Sequence, residues 1–144
     1  MNEDYKILYS LDTSSEEIQN QVFSVWREFI KSPIPKKLLE KRLSNLSLAV
    51  LHRPTNKVIG FTTSSLKFYP SVGKNYYFVG LIVSKGYPGR PFLLDKTFTY
   101  LQENKSSEAA GVAITRKNKR ISDKILERYS FFKVKGNTFL RDFE

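Results

Sequence analysis

Residues 76–103, YYFVGLIVSKGYPGRPFLLDKTFTYLQE, decide the fold. An apolar run from Tyr76 to Val83 stops at a short basic turn, Lys85-Gly86-Tyr87-Pro88-Gly89-Arg90. A helical pattern begins at Pro91, where proline suits the first helical position. Leu94, Phe98 and Leu101 recur along it as one apolar stripe. Strand, glycine-bearing turn and helix make a layout that can hold an anion. Backbone N–H groups and the positive end of the helix dipole converge on the turn. An ordinary strand-to-helix connection would use the same glycines for the turn alone. Neither G-x-x-x-x-G-K-[ST] nor G-x-G-x-x-G is present.

The run from Tyr76 to Ser84 is apolar almost throughout, which predicts a central strand with both faces covered. It closes a meander. Leu46, Leu48 and Val50 alternate with Ser47 and Ala49, giving a strand over 46–52. Arg53 to Lys57 reads as a hairpin turn, Val58 to Leu66 as the next strand, and Tyr69 to Lys74 as a second turn. Beyond the helix from Pro91 to about Asn104, Ala109 to Thr115 reads as a strand. It follows a helical crossover, so it should lie parallel to 76–84. Arg116 to Asn118 is a turn, Lys119 to Arg128 a helix, and Phe131 to Phe143 a closing hairpin about Gly136.

Before the meander, Tyr5 to Tyr9 alternates as a first strand. Thr13 with Glu16, and Ser14 with Glu17, have capping-box spacing. Ile18, Val22, Val25, Trp26, Phe29 and Ile30 then form one helical stripe, in which Trp26 reads as core. A shorter helix, about Pro35 to Ser44, should turn Leu38, Leu39 and Leu43 inward and Lys36, Lys37, Lys41 and Arg42 outward. The order β α α β β β α β α β β predicts an α+β fold with a mixed central sheet, residues 1–144 forming one domain.

Composition narrows the function classes. The 144 residues carry a net charge of +10, with 40% apolar and 14% aromatic residues, a balance that belongs to a folded chain. Residues 1–30 hold two basic and six acidic residues, 31–84 nine and one, and 85–144 thirteen and seven. That excess would attract nucleic acid, an acidic protein or cofactor phosphates, or simply keep the surface solvated. There are no cysteines, which removes disulfides, thiolate zinc sites and a thiol nucleophile. No apolar run could span a bilayer, and the acidic start lacks a secretory apolar core. A cytoplasmic protein without a membrane role is the expectation.

In this order of elements, and most sharply over 75–132, the chain resembles the GNAT superfamily of acyl-CoA-dependent N-acyltransferases. The resemblance implies acetyl-CoA lying where the central strand splays from its parallel neighbour near Val83. It implies that backbone groups near Leu81, Ile82 and Val83 orient the thioester, and that a [QR]-x-x-G-x-[GA] turn binds the pyrophosphate. Here that turn is degenerate. Pro88 stands where Arg is usual, and the next two glycine-type places fall on Pro91 and Leu93. Gly86, Tyr87, Gly89, Arg90, Phe92 and Leu93 keep N–H donors, while Lys85 and Arg90 add charge. Asn118 resembles the family Asn, and Ser130-Phe131 the family Gly-Phe pair. The general-acid Tyr would fall on Leu126, so Tyr129, three positions on, is the candidate substitute. The strand 76–84 contains no carboxylate to act as base, and His52, the single histidine, reads as a surface residue.

Two functions follow from the resemblance. One is transfer of an acetyl group from acetyl-CoA to an unidentified amine. The other is a GNAT-like protein that binds without catalysing. It would engage acyl-CoA, nucleic acid or an acidic protein through its basic face, where Tyr69, Tyr76, Tyr77 and Tyr87 accompany Lys67, Lys74 and Lys85.

Overall fold

A computed structural model describes residues 4–9, 15–29, 35–84, 89–115 and 121–144. Its elements run β1 (Tyr5–Tyr9), α1 (Glu16–Phe29), α2 (Lys36–Ser44), β2 (Leu46–His52), β3 (Lys57–Tyr69), β4 (Lys74–Val83), α3 (Arg90–Glu103), β5 (Ala109–Thr115), α4 (Asp123–Arg128), β6 (Phe132–Lys135) and β7 (Thr138–Asp142). This is the order the periodicity predicts. The strands form one mixed seven-stranded sheet in the order β1-β2-β3-β4-β5-β7-β6. β4 and β5 are parallel, while β1–β2, β2–β3, β5–β7 and β6–β7 are antiparallel.

The chain falls into two compact units. One comprises Met1–Thr63 with Leu81–Arg90, the other Ser64–Gly80 with Pro91–Glu144. In the first, α1 lays Val22, Val25 and Trp26 against Leu8, Ala49, Val58 and Phe61, with Ile18 and Ile82 at the margin. Burying each such side chain contributes about 1.5–3 kcal/mol, which is why this stripe is legible as a helix face. Gln21 ties α1 to the β2–β3 turn. Its Oε1 accepts the Val58 N–H at 2.6 Å, and its Nε2 donates to the Asn56 carbonyl at 3.4 Å. β3 carries an extra residue at Ile59, because Val50 pairs with Gly60 but Leu51 with Val58.

In the second unit, the buried stripe of α3 is Leu93, Leu94, Thr97, Phe98 and Leu101. Thr97 satisfies its hydroxyl on the Leu93 carbonyl at 2.8 Å. Arg141 of β7 lies over the Phe98 ring at 3.6 Å and bonds Asp95 at 2.8 Å. β5 also carries an extra residue opposite Tyr76, since Asn75 pairs with Ala109 and Tyr77 with Val112. Gly111 lies in that stretch, and a Cβ there would collide with the carbonyl of Arg141.

Several expectations are corrected in detail. α1 is capped by Ser15, whose Oγ accepts the Ile18 N–H at 3.3 Å; Thr13 and Ser14 lie outside the described residues. In α2, Leu38 is 41% exposed rather than turned inward. Leu39 and Leu43 are not among the side chains described. β3 runs on to Tyr69, three residues beyond Leu66, because it continues to pair beside β4 up to the turn about Gly73. α4 begins at Asp123, after the N-cap Ser122, and Lys119 lies outside the described residues.

Candidate functional site

The end of β4 is fixed by β3. Ser84 donates its N–H to the Ile59 carbonyl at 2.7 Å. One residue on, Gly60 stands against Val83: a Cβ on Gly60 would lie 3.2 Å from Val83 Cγ2 and 3.3 Å from the Ile82 carbonyl oxygen. Gly60 and Val83 are therefore an opposed pair of the kind that exchanges no hydrogen bonds. In antiparallel alternation the N–H and C=O of Val83, and those of Leu81 two residues earlier, turn away from β3. Ile82 turns its own toward β3. Of the three residues expected to orient a thioester, Leu81 and Val83 thus present backbone groups on the edge facing away from β3. Val83 is buried, at 1% exposure.

The register of β4 with β5 is carried by Asn75, Tyr77 and Phe78, the last paired with Ala113. β5 continues to Thr115, which pairs with Thr138 of β7.

Past Val83, the expected cradle residues Lys85, Gly86 and Tyr87 lie outside the described residues, as does Asn118. Gly89 and Arg90, both half-buried, lead into α3, with Arg90 as its first residue. Phe92, also half-buried, carries the Lys96 ammonium 5.3 Å above its ring. The first turn of α3 contains no acidic residue. Its positive end is therefore left without a carboxylate from its own first turn, which suits an anionic ligand.

The other candidate region is the end of α4. Ser122 opens the helix by accepting the Ile125 N–H on its Oγ at 3.3 Å. Leu126 is 1% exposed and belongs to the core. The helix stops at Arg128, so Tyr129 is its C-cap rather than a residue of a continuing turn. Its N–H reaches the carbonyls of Ile125 and Leu126 at 3.2 and 3.1 Å. The Tyr129 side chain is half-buried. His52 is occupied locally: its Nδ1 lies 2.7 Å from the Thr55 hydroxyl, and its ring lies 5.4 Å from that of Tyr5.

Tyr69 and Tyr76, expected on the basic face, are instead buried at 9% and 1% exposure, and so are withdrawn from any stacking on a partner. The Tyr76 hydroxyl donates to Asp142 Oδ1 at 2.5 Å, linking residues 66 positions apart. Burial first, then the hydrogen bond and charge of Asp142, push the Tyr76 phenol well above its ordinary range. Tyr69 meets Tyr76 edge to face at 5.8 Å, and its buried hydroxyl has no partner among the described residues; burial raises its pKa too. Nothing in local spacing signals such a pair, since the register of four strands creates it. The described residues contain no cluster of three or more His, Cys, Asp or Glu able to hold a metal. No helix among them is long and apolar enough to cross a membrane.

No family model matches the chain, and no curated protein matches it in sequence. Solved structures do match. An acetyltransferase of Trypanosoma brucei is 14% identical, with 92% of this chain and 94% of that one covered at a TM-score of 0.57. A variant of the AtaT toxin, bound to the C-terminus of the antitoxin AtaR and to acetyl-CoA, is also 14% identical, with 97% and 94% covered at 0.60. An aminoglycoside acetyltransferase from an uncultured soil metagenomic sample, in complex with trehalose, is 18% identical, with 88% and 84% covered at 0.53. At these identities the likeness is one of fold.

Proposed function

Because the chain has the fold of the GNAT acetyltransferases, we propose that it transfers an acetyl group from acetyl-CoA to an amine. The observation that carries the reading is the end of β4, where Leu81 and Val83 turn their backbone groups away from β3. An N–H so placed suits the thioester carbonyl, whose oxygen gains charge as the amine nitrogen attacks. The C–N bond forms and the C–S bond breaks, the amine nitrogen gives up one proton to water, and coenzyme A leaves as a thiolate that takes one up. No covalent enzyme intermediate is needed, so the lack of cysteine is no obstacle. Lys85, Gly86, Tyr87, Gly89, Arg90 and Phe92 hold the pyrophosphate in this reading, aided by the start of α3, whose first turn carries no acidic residue, and Asn118 contributes as well. Tyr129 supplies the proton to the leaving sulfur, since Leu126 has none to give. The test is calorimetric titration with acetyl-CoA, followed by a thiol-release assay with a panel of amines. Micromolar binding and amine-dependent release support the transfer; absence of binding removes it.

A second reading keeps the cofactor and drops the chemistry. The observation in its favour is Leu126, fully buried at the place that resembles the family's acid, together with the absence of any Asp or Glu in β4. Acetyl-CoA binding without release of thiol on any amine favours this reading. In that case acyl-CoA is a ligand, and the basic face (nine basic residues to one acidic over 31–84) meets an acidic protein or a nucleic acid.

A further inference from the structure

Gly60 is buried in the interior of β3, between half-buried Ile59 and buried Phe61. Glycine is a poor choice there, since it weakens a strand and packs nothing; it usually marks a close approach. Its conformation does not call for glycine, because its φ lies outside the left-handed range, unlike Gly73 at 67° and Gly136 at 55°. Space calls for it. A Cβ would stand 3.2 and 3.4 Å from the two Cγ atoms of Val83 and 3.3 Å from the Ile82 carbonyl oxygen. Neither neighbour yields easily, for Val83 is 1% exposed and Ile82 packs on the α1 core. Just before Gly60, the extra residue Ile59 presents its carbonyl to Ser84. Bulge and glycine together fix both the direction and the depth of the last residues of β4.

We propose that Gly60 is a positioning residue for the acyl group: by carrying no side chain it sets where the Val83 backbone stands, and so where the thioester carbonyl is received. This rests on the acetyltransferase reading and adds a residue that touches neither cofactor nor amine. A methyl at position 60 pushes Val83 by a few tenths of an ångström. That displacement is felt by the carbonyl of acetyl-CoA, not by its pyrophosphate. Free coenzyme A has the same pyrophosphate and no carbonyl on its sulfur, which makes the pair a diagnostic probe.

The experiment compares Gly60→Ala with the unmutated protein by calorimetric titration of acetyl-CoA and of coenzyme A, with thermal unfolding recorded alongside. The expected result is an acetyl-CoA Kd raised about three- to tenfold, the ratio set by one hydrogen bond of ordinary strength, with the coenzyme A Kd changed less than about twofold. Adding Val83→Ala to Gly60→Ala removes both Cγ contacts of the new methyl while keeping the Val83 backbone groups, and restores part of the preference for acetyl-CoA. The double variant also carries the test if Gly60→Ala alone does not fold. Equal weakening of both ligands, or of neither, overturns the role of Gly60, as does a folded double variant with no restored preference. An unmutated protein that binds neither ligand overturns the acetyltransferase reading itself, and this inference with it.

Discussion

Phe131 donates its N–H to the carbonyl of Leu126 at 2.9 Å, and this bond turns the chain back at the end of α4. Ser130 bonds Glu127 at 3.0 Å in the same turn. The two bonds are those of a Schellman motif, with Tyr129 as C-cap and Ser130 in the left-handed position at φ 66°. Leu126 and Phe131 are both buried, which supplies the apolar contact that usually accompanies the motif. The pair Ser130-Phe131 thus stands where the resemblance has Gly-Phe, and the motif explains why a glycine is usual there.

Ser130→Gly should therefore stabilise the protein. A non-glycine residue in the left-handed region costs about 1–2 kcal/mol, part of which is returned because glycine gains freedom in the unfolded chain. The expected net gain is about 0.5–1 kcal/mol in urea unfolding. Ser130→Val should lose stability by a comparable or larger amount. A neutral Ser130→Gly would mean that the strain is relieved elsewhere in the turn.

The same motif sets the place of Tyr129. As the C-cap, it leaves the helix axis while Leu126 stays in the core. If its phenol protonates the leaving sulfur, Tyr129→Phe lowers turnover roughly 10²-fold, with acetyl-CoA affinity unchanged and thermal midpoint nearly so. A rate equal to that of the unmutated enzyme ends the role and leaves Tyr129 as a packing residue.

Tyr76 gives a pH dependence with a definite sign. Its folded pKa is raised above the ordinary 10.0 by burial and by Asp142, and that of Tyr69 by burial. Below pH 10 both phenols are protonated in the folded and unfolded chains, and their contribution is fully present. Above it the unfolded chain releases protons that the folded chain retains, so stability falls as pH rises. Urea unfolding between pH 9 and 11 should show this fall, and Tyr76→Phe should make it shallower. At pH 7 the same substitution removes the bond to Asp142 and costs about 1 kcal/mol. Identical slopes in the two proteins would show that Tyr76 ionises equally well when folded.

Local periodicity carried the element order because each element declares its buried face within its own residues. Ile18, Val22, Val25 and Trp26 mark α1; the run Tyr76 to Val83 marks a strand with a neighbour on each edge, although Tyr77, Phe78, Leu81 and Ile82 are half-buried, so its two faces are not both covered as expected. What depends on register was not legible. The extra residue at Ile59 and the room that Gly60 gives Val83 depend on how β3 meets its neighbours. The link from Tyr76 to Asp142 spans four strands in sequence. At the site, the sequence pointed to Leu81, Ile82 and Val83 as a group. Strand alternation separates Ile82 from the other two, a distinction that needs the pairing partner to be known.

Gly89 and Lys96 test whether the start of α3 holds phosphate. Gly89 immediately precedes the helix, and Arg90 is its first residue. A glutamate there adds a negative charge beside the N–H groups of the first turn, where no acidic residue now stands. Lys96 lies beyond that turn, exposed, with its ammonium over the Phe92 ring. Lys96→Glu changes the net charge by two units and Gly89→Glu by one, so general electrostatics predicts the larger effect at 96. A localised phosphate site predicts the reverse, since the helix-end field fades within about one turn. The expected result is at least a tenfold rise in the acetyl-CoA Kd for Gly89→Glu, about 1.4 kcal/mol, against less than threefold for Lys96→Glu. Raising the salt from 0.05 to 0.5 M should shrink the Lys96→Glu effect further, because exposed charges more than about 10 Å apart are screened. Equal effects, or a larger one at Lys96, would assign the binding to the overall positive charge and remove Gly89 and Arg90 from the site.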